Sequence, residues 1–324
     1  MISSYAGENG RLLLLEQPGD ATLQGVVWID LFEPTAEEEA TVERTLGIDV
    51  PMREEMEEIE ISSRLYFEDG AAFMTATLPA LTDSDDPHLA PVTFVLTGEK
   101  LVTVRYHEPR AFQTLTARAR RVAMGCHNGE TVLIALLEIQ VDRLADVLER
   151  IGREIAQISQ DVFQQRGPKP SRSSNFQTIL EAIGRKGDLT SNIRQCLGSL
   201  ERMIGFLGQV TLQSKSDKDL RVRIRTLARD CQSIIDHASF LTQKVTFLLD
   251  ATLGLINIEQ NAIIKIFSVA AVVFLPPTLI ASIYGMNFKI MPELAWPFGY
   301  PLAVLFMVIS AILPFWYFKR RGWL

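Results

Sequence analysis

Two long apolar segments close the chain, and a short polar connection joins them. Across residues 266–286 and 294–318 no Asp, Glu, Lys, Arg or His occurs. Each run exceeds the roughly 20 residues that cross a hydrocarbon core, so both are predicted to span a membrane as helices. The connection, Tyr284-Gly285-Met286-Asn287 through Met291-Pro292-Glu293-Leu294, is too short for a domain and returns the chain to the side it left. Lys319, Arg320 and Arg321 follow the second span at once. Positive flanks stay in the cytoplasm, which predicts cytoplasmic N- and C-termini and an external connection. Trp296, Tyr300, Trp316, Tyr317 and Trp323 sit near the span ends, where aromatic rings meet the lipid headgroups.

The spans occupy the last fifth of 324 residues and leave enough chain for a real soluble core. The opening Met1-Ile2-Ser3-Ser4 lacks the charged start and apolar stretch of a secretory signal, so the first span is expected to direct insertion. Cys126, Cys196 and Cys231 are odd in number and far apart, which fits a reducing compartment. A net charge of −7 argues against nucleic acid and suits divalent cations. His88, His107, His127 and His237 are dispersed and form no nucleophile–base set, so no enzyme is expected. No GxxxxGK[ST] loop occurs, and nucleotide is not expected to supply energy.

The composition predicts residues 1–124 as an α/β domain, with short β-branched and aromatic runs at 12–15, 26–31, 63–67, 72–76, 91–96 and 101–106. Thr97-Gly98-Glu99-Lys100 reads as a hairpin turn between the last two. Thr35 is the expected N-cap of a helix whose first turn carries Glu37, Glu38 and Glu39. Residues 125–213 read as a helical hairpin broken at Gly167-Pro168-Lys169-Pro170, and 214–262 as a stalk helix. The remainder divides into a first transmembrane helix at 263–287, an external loop at 288–295, a second helix at 296–318 and a basic tail at 319–324. The expected class is an α+β cytoplasmic domain followed by long stalk helices and two transmembrane helices.

On the stalk, Leu220, Ile224, Leu227, Cys231, Ile234, Ala238, Leu241, Val245, Leu248, Thr252 and Leu255 alternate steps of four and three. Asn261, Ile264, Ser268, Ala271, Leu275, Thr278, Ser282 and Gly285 are read as its continuation, which predicts one helix of about 70 residues. A heptad stripe is most often packed within its own chain. Inside the bilayer, however, this one turns small and polar, which lipid-facing packing does not require. One pair of spans cannot enclose an aqueous path, so several copies are expected to assemble around it. Ile264 and Leu275 would form apolar collars, and Asn261, Thr278 and Asn287 rings of amide or hydroxyl groups facing a hydrated ion. Glu293 would concentrate cations outside, with Lys289 opposing it.

Tyr284-Gly285-Met286-Asn287 with Met291-Pro292-Glu293-Leu294 in a two-span C-terminal hairpin closely resembles the CorA-type magnesium transporters. The likeness extends through Ile256-Asn257-Ile258-Glu259-Gln260-Asn261, Phe274-Leu275-Pro276-Pro277-Thr278 and Trp28-Ile29-Asp30-Leu31. It implies a funnel-shaped homopentamer in the bacterial inner membrane, in contact with membrane lipids, whose first spans line the pore. Tyr284, Gly285, Met286 and Asn287 would then form the outer mouth that recognises hydrated Mg2+, and Asn261, Ile264, Leu275 and Thr278 the rings below. Family members often carry methionine at the positions of Ile264 and Leu275. The resemblance also implies that cytoplasmic Mg2+ bound by carboxylates between subunits holds the closed state, with Asp230, Asp83, Asp85 and Asp86 as candidates. Competing expectations are a Co2+, Ni2+ or Zn2+ transporter of the same superfamily and a membrane-tethered scaffold. Neither Cys nor His follows His237, which counts against a soft-metal specialist.

Overall fold

The computed structural model describes residues 1–15, 25–82, 87–164, 172–213, 217–287, 291–292 and 296–323. Two compact units divide it, Met1–Leu248 and Leu249–Leu324.

The first unit is built on a seven-stranded sheet in the order β2-β1-β3-β7-β6-β5-β4. The strands are β1 (Ile2–Glu8), β2 (Arg11–Leu15), β3 (Val26–Phe32), β4 (Leu65–Glu68), β5 (Ala71–Ala80), β6 (His88–Thr97) and β7 (Lys100–Arg105). The run Val26-Val27-Trp28-Ile29-Asp30-Leu31 lies mid-sheet and is buried throughout, paired in parallel with β7 and antiparallel with β1. A continuous apolar run of this kind marks a strand covered on both faces. The Thr97–Lys100 turn closes the β6–β7 hairpin as expected, with Gly98 at φ 56°.

On one face, α1 (Ala36–Leu46) and α2 (Arg53–Met56) cover Ile29, Leu31, Phe73 and Val104 with Val42 and Met56. Thr35 caps α1 as predicted, in a reciprocal box: its backbone N–H donates to Glu38 Oε2 at 2.9 Å, and its Oγ1 accepts from the Glu38 N–H. The opposite face carries α4 (Arg110–Ala119), α5 (Gly129–Gln164) and α6 (Arg172–Gln213). Phe112 of α4 meets Trp28 and Phe94, with centroids 6.0 and 6.4 Å apart.

The structure differs from the sequence reading at three places in this unit. β1, the polar opening segment, is a strand because its backbone pairs on both edges, and Gly7 is required there: a Cβ would stand 2.8 Å from the Cys126 carbonyl oxygen. Ser63 and Arg64, expected in a strand, end the short helix α3 (Ile61–Arg64), where the Arg64 guanidinium is tied to the Glu58 carbonyl. The helix α4 was not foreseen, and its buried Ala111, Phe112, Leu115 and Ala119 account for it.

The long helix α7 runs from Lys218 to Tyr284. Within the first unit its residues Leu220, Ile224, Leu227, Cys231, Ala238, Leu241 and Leu248 are buried. Gly152 of α5 and Gly187 of α6 lie opposite Leu241 and Val245, so this part of the stripe packs inside its own chain. The expected continuity of the stripe therefore fails. Asn261 lies six positions after Leu255, which is about 240° of rotation at roughly 100° per residue. The two runs lie on different faces of the helix.

In the second unit α7 ends at Tyr284, and α8 runs from Gly299 to Arg320. Both helices are long and apolar enough to cross a membrane. The second starts later than residue 296 because Pro297 interrupts and a turn closes from the Gly299 N–H to the Trp296 carbonyl at 2.9 Å.

Candidate ion pathway

In the second unit α7 has two contrasting faces. Val269 is buried, and Val273, Pro276 and Ile280 are half-buried. Ser268, Ala271, Leu275, Thr278 and Ser282 are exposed, as are Asn261 and Ile264 before them. At roughly 100° per residue the two sets point about 150° apart. Ile264 and Leu275 are 61% and 65% exposed, which leaves two large aliphatic side chains without cover in one protomer. The stripe positions named from the sequence within the span are all exposed, as are Phe267, Phe274 and Leu279 beside them.

Local chemistry along that face follows from the helix. Pro276 and Pro277 have no N–H, so the carbonyls of Val272 and Val273 lose their donors four residues on. One position later Thr278 Oγ1 donates to the Phe274 carbonyl at 2.7 Å. This bond uses the hydroxyl proton and leaves oxygen lone pairs on the open face, the polarity that suits the water shell of a cation.

The helix finishes at the Gly-Met-Asn motif. The Gly285 N–H donates to the Ala281 carbonyl at 2.9 Å, and the Met286 N–H to Ile283 at 3.3 Å. A Cβ at Gly285 would stand 3.1 Å from the Ala281 oxygen, so a side chain there would press on the terminal carbonyls. The last carbonyls of a helix carry the negative end of its dipole, which favours cations. Tyr284, Met286 and Asn287 are all exposed at this end. Glu293 and Lys289 lie outside the described residues, as do Asp83, Asp85 and Asp86.

Asp230 is exposed on α7. It acts electrostatically on Asp142 of α5, whose carboxyl is raised above the usual range by burial first, then by Glu138, Asp146 and Asp230, with Arg118 opposing. Glu138 is engaged by Arg223 through two bonds of 3.0 and 2.8 Å. Asp142 was missed from the sequence, although Glu138, Asp142 and Asp146 recur every four residues and so share one helical face. Among the described residues no three His, Cys, Asp or Glu side chains converge to hold a metal within one protomer. The thiols of Cys196 and Cys231 are pushed up to about 12, and that of Cys126 to about 11, all by burial first, which keeps them protonated.

A family model described as CorA-like Mg2+ transporter protein matches residues 23–320. The chain is 36% identical over 324 residues to the magnesium transport protein CorA of Pasteurella multocida, covering all of both chains. It is 38% identical over 326 residues to the magnesium transport protein CorA of Escherichia coli, again covering all of both. The complete structure of the CorA magnesium transporter from Methanocaldococcus jannaschii superposes with a TM-score of 0.73 at 20% identity, over 100% of this chain and 99% of that one. Full-length matches of this kind show that the chain belongs to the CorA-like Mg2+ transporter family.

Proposed function

We propose that this protein conducts hydrated Mg2+ into the cell through a pore lined by the open face of α7 from several copies, assembled as a homopentamer in the bacterial inner membrane. The observation that carries this reading is the exposed stripe ending in Gly285-Met286-Asn287, which lies about 150° around the helix from the buried Val269 and the half-buried Val273, Pro276 and Ile280. Mg2+ sheds water reluctantly and prefers oxygen ligands, so a ring of Asn287 amides holds the ion through its water shell. Neutral amides attract it without trapping it, which conduction requires. Thr278 and Asn261 repeat the polar contact deeper in the span, and Leu275 and Ile264 form collars that close by expelling water. Glu293 draws cations to the outer mouth. Tyr284 lines that mouth, and Ser268, Ala271 and Ser282 keep the wall narrow and small between rings.

The driving force is the membrane potential, about 2.3 kcal/mol per charge per 100 mV and roughly 4.6 kcal/mol for a divalent ion. No nucleotide or enzymatic step is involved. Co2+ and Ni2+, of similar hydrated size, pass by the same route. In proteoliposomes with an imposed inside-negative voltage, Mg2+ uptake is expected to rise with voltage and to be blocked by hexammine-cobalt, which cannot shed its ligands. Voltage-independent or absent uptake would point to a tether.

Cytoplasmic Mg2+ closes the pore by neutralising carboxylates between subunits. Asp230 is the leading described candidate, with Asp83, Asp85 and Asp86 as further ones. Burial raises Asp142 first, and Glu138, Asp146 and Asp230 add a like-charge repulsion of the kind a bound cation relieves. Asp230→Lys is expected to remove most of the protection against proteolysis that Mg2+ confers on the native protein. Protection at the native Mg2+ concentration would rule Asp230 out.

A further inference from the structure

The cytoplasmic ends of the two apolar helices carry a built cluster of cations and aromatic rings. Lys265 is the last charged residue of α7 before its apolar run, and Lys319 the first after that of α8. Gly322, at φ 70°, reverses the chain after α8, and the Trp323 N–H donates to the Phe318 carbonyl at 3.1 Å. The indole consequently stacks on Phe318 at 5.2 Å and lies under the Lys265 ammonium, 5.8 Å from the ring centroid. Arg320 lies over the Trp316 ring at 5.4 Å and Arg321 over Tyr317 at 5.5 Å.

These contacts have a chemical consequence. Cation–π attraction holds each guanidinium over a ring, and a guanidinium carries the N–H donors that grip a phosphate in a fork. Among the described residues none of Lys265, Lys319, Arg320 or Arg321 makes a salt bridge to a carboxylate, and all four are exposed. The cluster sits where both apolar runs stop, which the two-span reading puts at the level of the inner-leaflet headgroups. Aromatic rings favour that layer, and the anionic lipids of the leaflet supply the opposite charge.

We propose that Lys265, Arg320 and Arg321, held by Trp316, Tyr317 and Trp323, form a binding site for the phosphate of an anionic phospholipid in the inner leaflet. The inference rests on the two-span reading and is independent of which ion crosses. The full-length protein carrying Trp296→Phe is reconstituted in phosphatidylcholine, with phosphatidylglycerol or phosphatidylcholine brominated near the headgroup as quencher of tryptophan fluorescence. Brominated phosphatidylglycerol is expected to quench at a lower mole fraction than the choline lipid. Each of Lys265→Gln, Arg320→Gln and Arg321→Gln is expected to weaken that preference by roughly fivefold. Arg320→Lys with Arg321→Lys keeps the charge but removes the forks, and is expected to reduce the preference severalfold. An undiminished preference in this double variant would overturn the site in favour of diffuse surface charge. Equal quenching by both lipids would overturn the inference alone, and quenching by neither would overturn the membrane reading with it.

Discussion

Asn287→Ala is expected to lower voltage-driven Mg2+ uptake by about tenfold or more while leaving folding unchanged. The side chain is exposed, just beyond the last helical residue, and contributes nothing to the core of the protomer. What it offers is an amide oxygen at the negative end of α7, where the helix carbonyls already favour a cation. In the proposed ring, alanine would leave the hydrated ion without that partner in every subunit at once, so that small losses multiply. Asn287→Asp tests the complementary point. A ring of carboxylates is expected to bind Mg2+ more tightly yet pass it more slowly, because release becomes limiting. Native uptake in Asn287→Ala would move ion recognition away from this end of the helix.

Asp30→Ala is expected to destabilise the first unit by about 3–5 kcal/mol. Asp30 of β3 and Arg105 of β7 are almost fully buried and meet diagonally across the parallel pair, in which Asp30 registers with Thr103. The Asp30 carboxylate accepts from Thr103 Oγ1 at 2.7 Å and from Arg105 Nε and Nη2 at 3.1 and 2.9 Å. The guanidinium is also sandwiched by Phe32 and Phe112, 4.4 and 4.7 Å from their centroids. Without Asp30 the buried charge keeps, among the described residues, the His107 carbonyl at 2.9 Å as its acceptor. Thermal unfolding followed by circular dichroism in detergent reads the loss. Asp30→Leu combined with Arg105→Met removes both charges and is expected to be less destabilised than Asp30→Ala alone. A single-variant cost within experimental error of zero would contradict the role given to this pair.

Local signals in the sequence were sufficient where one segment decides its own structure. Thr35 with Glu38 three residues later specifies a cap, and Thr97-Gly98-Glu99-Lys100 a hairpin, through bonds made within a few residues. The apolar runs announced α7 and α8 for the same reason. Features that depend on distant partners were not legible. β1 is a strand only because β2 and β3 flank it. Asp30 and Arg105 lie 75 residues apart and show no pattern in either run. Asp142 gained interest only when α7 brought Asp230 near it. The stripe misled for a different reason: steps of three and four on both sides of residues 255–261 hid a change of helical face that burial makes plain.

The sharpest distinction lies between the two faces of α7 in the membrane. The native cysteines are buried and hold their protons, so they leave a quiet background for thiol chemistry. Ser282→Cys on the open face and Ile280→Cys on the covered face can be exposed to a small cationic methanethiosulfonate reagent during Mg2+ uptake. Rapid modification and block at position 282, with position 280 unaffected, is the expected result. Block at 280 with 282 inert would place the ion path on the other side of the helix.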